Sequence, residues 1–126
     1  MVPLVADLNS GTSASWSQIA ATREADAALR ERIGSLLRGG LRTRWLERAD
    51  TSETVNAVVV ELQRAAPEAL VERLRIAGFT LHPYASTDIA QSCATCMYFE
   101  MHRQFCALPE LMLPVSPDWS CRLWRI

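Results

Sequence analysis

The sequence predicts a mainly α fold, with an N-terminal helical hairpin or bundle followed by a small, irregular, cysteine-ligated C-terminal module. Two observations carry that prediction. Apolar residues in the N-terminal part recur at helical spacing between capping and terminating signals. All four cysteines fall instead in a C-terminal segment rich in proline and aromatic residues. A chain of 126 residues suits one domain or a domain with a small module. With 49% hydrophobic and 21% charged residues, its composition is that of a globular protein and not of a disordered one.

The elements follow in order. Residues 1–12 are expected to form a flexible tail. Ser15 and Gln18 make a capping box that opens a helix running to Arg38, with Ile19, Leu29, Ile33, Leu36 and Leu37 facing inward. Gly39-Gly40 ends it. The basic segment LRTRWLER is expected to form one or two helical turns around Trp45 and Leu46. Asp50 and Glu53 form a second capping box. Behind it Val55, Val58, Val59 and Leu62 lie at i, i+3, i+4 and i+7, a single helical face. Pro67 suits the first position of a further helix and Gly78 its C-terminal cap, with Leu70, Val71, Leu74 and Ala77 as the apolar face. These two helices read as a hairpin. Phe79-Thr80-Leu81 alternates like a short strand. The domain boundaries expected are 13–81 for the helical domain, 82–91 for a linker of loop composition, and 92–126 for the cysteine module.

The cysteines are spaced C-x2-C-x9-C-x14-C, at Cys93, Cys96, Cys106 and Cys121. Buried cysteines with unrelated roles would scatter along the chain, so this clustering points to one site. A C-x2-C pair turns tightly enough for both thiolates to reach a common metal ion or cluster, and the two lone cysteines close the site. Residues 92–126 are too few to bury a self-sufficient core. Ligation supplies the missing folding free energy, on the order of 10 kcal/mol in structural zinc peptides. Pro109, Pro114 and Pro117 stiffen the long connection. Around the cysteines lie Tyr98, Phe99, Phe105, Trp119 and Trp124, with charges in balance. An aromatic, neutral sheath suits an iron–sulfur cluster, whose potential depends on burial and on hydrogen bonds to sulfur. Common zinc ribbons carry two C-x2-C knuckles, whereas this chain has one. A 4Fe-4S cluster, a structural zinc ion and free or disulfide-bonded thiols all remain open on spacing alone.

The run CATCMYF, the lone Cys106 and the closing WSCRLW together resemble high-potential iron–sulfur proteins. The resemblance spans residues 93–124. It implies that Cys93, Cys96, Cys106 and Cys121 are the cluster ligands and that Trp124 is the family's final aromatic. Phe99, Trp119 and Trp124 are then expected as the cluster shell. Related cluster motifs occur in small subunits of some glycyl-radical enzymes.

Other functions find less support. The chain shows no G-x-G-x-x-G, P-loop, H-E-x-x-H or G-x-S-x-G motif, so no catalytic residue is assigned. His102 lies in the polar run EMHRQ and reads as a surface residue, as does His82 before Pro83. No apolar run reaches the ~20 residues of a membrane span, and the first residues lack the charged region of a signal peptide. A cytoplasmic location without membrane attachment is expected, where thiols stay reduced. The role expected is an accessory or electron-transfer protein whose helical part binds a protein partner. The alternative is a zinc-stabilised interaction module that touches nucleic-acid phosphates through Arg38, Arg42, Arg44 and Arg48. A net charge of −1 gives that alternative no global field.

Overall fold

The computed structural model describes residues 16–85 and 89–125. The tail expected over residues 1–12 and the Ser15 cap lie outside the described residues. Helix α1 spans Trp16–Arg38, α2 spans Ser52–Arg64 and α3 spans Leu70–Ala77. Five two-residue strands follow: β1 Tyr84–Ala85, β2 Ala90–Gln91, β3 Phe99–Glu100, β4 Phe105–Cys106 and β5 Leu113–Pro114. Strands β1 and β2 form one antiparallel ladder, and β3-β4-β5 form a second.

The expectation of a mainly α protein is therefore corrected to a mixed one. Three helices are joined by two small antiparallel sheets, and the N-terminal part is no helical bundle. Helix α1 packs on β5, while α2 and α3 pack on each other. Arg30 of α1 donates to the carbonyls of Val115 (3.2 Å) and Gln104 (2.9 Å), and Arg103 pairs with Asp26 at 2.7 Å. These contacts fasten the long helix to the sheet. Strands this short leave no alternating pattern in sequence. Gln104 and Met112 take left-handed φ values of 54° and 49°, within the turns that lead into β4 and β5. Neither residue is a turn signal.

Helix α2 begins one residue later than predicted, and its cap is not Asp50. Thr51 accepts from the Thr54 N–H at 3.2 Å, and its own N–H donates to Thr54 Oγ1 at 3.0 Å. Val58 and Leu62 are buried, Val55 and Val59 half-buried, and Val60 exposed. Pro67 lies in a turn before α3, which starts only at Leu70. Gly78 closes α3 in the left-handed conformation, with φ 70° and ψ 44°. Residues 41–50 hold a turn at Trp45–Leu46 and no helix, and Leu46 is exposed. Phe79-Thr80-Leu81 contributes a single antiparallel bridge, Thr80 to Ser120.

One hydrophobic core runs through the protein. Ile33, Val58, Leu62, Leu70, Leu74 and Phe79 join Leu108, Leu111, Val115, Trp119 and Leu123 in it. It draws on both the segment 13–81 and the segment 92–126. The Thr80–Ser120 bridge and the Arg122 N–H to Ala77 carbonyl bond (3.0 Å) lay the last cysteine against the end of α3.

Candidate functional site

Each cysteine is positioned by a different local device. Cys93 opens a 3₁₀ turn, Cys93–Thr95, capped by Ser92. Its N–H donates to the Trp119 carbonyl at 2.6 Å, which ties the turn to the chain just before Cys121. Cys96 ends the turn with its N–H on the Cys93 carbonyl at 3.0 Å. Cys106 sits in the central strand β4, opposite Phe99 on one side and Leu113 on the other. Cys121 lies between Ser120 and Arg122, both pinned by backbone bonds to the α3 end.

All four sulfur-bearing residues line one cavity, together with Phe79, Phe99, Val115 and Trp124. Apart from the cysteines, its lining is apolar or aromatic. The cavity is small and opens to solvent at its mouth. Cys93 is buried and the other three are half-buried; all four are free thiols. Among the described residues, no three His, Cys, Asp or Glu side chains close around one point as a site for a single metal ion. The cysteines thus share a cavity without meeting at one ion-sized centre.

The electrostatics follow from that crowding. Burial raises the Cys93 thiol far above its usual value, and negative charge at Cys121, Cys106 and Cys96 would raise it further. Burial pushes Cys106 up to about 11, against a backbone hydrogen bond from Leu108 that favours the thiolate. Burial likewise takes Cys121 to about 12, with Cys106 adding to the rise and a backbone bond from Leu123 opposing it. In both cases the donor is the N–H two residues after the cysteine. A metal would reverse the balance, because a coordinated thiol is deprotonated.

No family model matches the chain, and no curated protein or solved structure matches it. The site must be read from its own residues.

Of the expected shell, Phe99 and Trp124 line the cavity. Trp119 is buried beside it and acts through its carbonyl, the acceptor for Cys93. The Trp124 indole is steadied by a bond to Thr95 Oγ1 at 3.0 Å, so the C-x2-C turn holds its own cover. Sequence reading missed Phe79 and Val115 as walls of the cavity. Phe79 reaches the cavity because the left-handed Gly78 turns the chain back under α3. Its position directly after a helix-terminating glycine was the available signal. Nothing in the run PVSP marks Val115 as a wall residue. His82 and His102 are exposed.

The basic segment is largely engaged within the molecule. Arg38 pairs with Glu31 at 2.9 Å. Arg44 makes a two-pronged contact with Glu61 at 2.9 and 3.0 Å. Arg48 is half-buried, and burial holds it below the usual arginine value. Arg42 is exposed. Among the described residues, no helix is long and apolar enough to cross a membrane.

Proposed function

We propose that Cys93, Cys96, Cys106 and Cys121 hold a 4Fe-4S cluster and that the protein is a small iron–sulfur accessory or electron-transfer protein. The observation that carries this reading is the convergence of four free thiols on one otherwise apolar cavity, from three separate stretches of chain. The donor set is all sulfur, as such clusters require. The backbone amides of Leu108 and Leu123 favour the thiolate at Cys106 and Cys121, the kind of influence that tunes cluster potentials. A lone zinc ion needs four thiolates at about 2.3 Å from one point. Among the described residues no such ion-sized grouping is found. In a cluster each cysteine binds a different iron, which suits ligands spread around a cavity.

Bound there, a cluster supplies a one-electron couple. The chain's own residues do the rest. Phe79, Phe99, Val115 and Trp124 keep water from the sulfurs, and the amides of Leu108 and Leu123 favour the thiolate form at Cys106 and Cys121. The helical part is the proposed partner surface, and the cell interior the proposed location.

The test is metal and sulfide analysis of anaerobically purified protein, with its visible spectrum. The expected result is a brown protein carrying iron and acid-labile sulfide. Cys121→Ala should lose or convert the cluster, whereas Trp124→Ala should keep its iron when fresh and bleach faster in air. A colourless protein loaded with stoichiometric zinc, or with no metal, overturns the reading. A visible cluster with no reversible couple between about −700 and +450 mV would leave it a structural staple, without electron transfer.

A further inference from the structure

Some arginines of this fold are answered by carboxylates and others only by neutral acceptors. Arg103 sits opposite Asp26 at 2.7 Å and Arg44 opposite Glu61 at 2.9 Å. Arg48, like Arg30 and Arg73, is of the second kind, and among the described residues it is the one bonded to a cysteine backbone. It is half-buried, and none of the ion pairs among the described residues includes it. Its guanidinium lies over the Tyr84 ring, 3.9 Å from the centroid. It donates to the Trp45 carbonyl (2.9 Å), to Gln91 Oε1 (2.7 Å) and to the Cys121 carbonyl (3.2 Å). All of these acceptors are neutral.

A second cation follows Cys121 directly in the chain. Arg122 has a side chain 4% exposed, and its NH2 is the buried side-chain nitrogen without a hydrogen-bond partner among the described residues. Its nearest carboxylate oxygens, on Glu47 and Glu61, stand at 3.8 and 3.9 Å. Two cations therefore flank the Cys121 backbone: Arg122 has carboxylates at ion-pair distance, whereas Arg48 feels Asp50 only through space. A buried cation is costly without a counter-charge. The cysteine cavity is the place where one can form, because thiolates around iron carry net negative charge.

We propose that Arg48 is the counter-charge of the cysteine centre and raises the reduction potential of the cluster held there. The inference rests on the cluster reading above. One-electron reduction, with the electron delivered by a soluble mediator, adds one unit of negative charge beside Arg48 and makes or breaks no bond. A fixed cation in a poorly solvated setting stabilises the reduced form more than the oxidised one. The four contacts of the guanidinium fix that cation in place, so it cannot swing into solvent. Arg48 acts through charge and position, without touching iron.

The test is a potentiometric titration of anaerobically reconstituted protein, comparing wild type with four variants of equal iron content. Arg48→Gln and Arg48→Met remove the charge, the second keeping the apolar stem. Arg48→Lys keeps the charge and changes the hydrogen bonding. Gln91→Ala removes an acceptor and leaves the charge alone. The expected result is a negative shift for both neutral variants, with Arg48→Lys and Gln91→Ala close to wild type. Equal shifts in Arg48→Lys and Arg48→Gln would mean that packing and not charge is at work, and would overturn the proposal. So would unshifted potentials in the neutral variants, even with the cluster present and redox-active. A wild type that takes up no iron overturns both this inference and the cluster reading.

Discussion

At the scale of single residues, Gly78 and Glu61 do the most that can be tested without a ligand. Gly78 sits at φ 70°, where an L side chain strains the backbone. A Cβ there would also meet Trp45 Cα at 3.0 Å and Arg122 Cγ at 3.1 Å. Gly78→Ala should lower stability by about 2 kcal/mol from backbone strain and overpacking together, measured by urea denaturation. It should also disturb Phe79, the residue that brings α3 to the cavity. Unchanged stability would mean that the turn relaxes freely. Glu61 is held below the ordinary carboxylate range chiefly by its hydrogen bonds from Arg44, with the charges of Arg44, Arg122 and Arg64 assisting and burial opposing. The sign follows directly. A depressed carboxylate stabilises the fold above its unfolded value, and that stability is lost as the pH falls through its lowered folded value. The contribution is modest because the pair is solvent-accessible. Glu61→Gln should flatten that part of the acid-denaturation profile; a profile identical to wild type would remove Glu61 from the account.

At the scale of elements, the run Val58-Val59-Val60 separates helix from strand in one experiment. Val58 is 4% exposed and Val60 is 41% exposed. Val58→Asp should bury an unpaired carboxylate and cost about 3 kcal/mol or more. Val60→Asp should stay within about 0.5 kcal/mol of wild type. Comparable losses from both would contradict the helical face. This element was legible in the sequence because its apolar positions repeat with the helical period. Its cap was misplaced because both Asp50 and Thr51 are good capping residues and only the backbone decides between them. The strands were illegible for a different reason. Pairs such as Phe99 with Cys106 are set by where the chain turns, and the left-handed residues there are Gln104 and Met112. Most of the cavity could be read from cysteine spacing. Its far wall could not, because Phe79 and Val115 arrive through tertiary packing that no local pattern records.

At the scale of the whole molecule, the site and the core are one mechanical unit. Cys93 hangs from Trp119, Cys121 hangs between Thr80 and Ala77, and Phe79 belongs to both core and cavity. Ligation should therefore stabilise the entire fold and not the C-terminal segment alone. A ligand bound only by the native state adds RT ln(1 + [L]/Kd), about 4 kcal/mol at a thousandfold excess over Kd. Reconstituted protein should unfold in one cooperative transition, with helical and aromatic circular dichroism signals coinciding, at higher denaturant than the metal-free form. Cys121→Ala should abolish the increase and leave the metal-free transition nearly unchanged. If the helical signal instead melts at the same denaturant with and without metal while the aromatic signal moves, the cavity is energetically separate from α2 and α3. In that case the Thr80–Ser120 and Ala77–Arg122 bonds would not transmit stability between the helical layer and the cysteines, and Arg48 would have to be credited with holding Cys121 in place largely by itself.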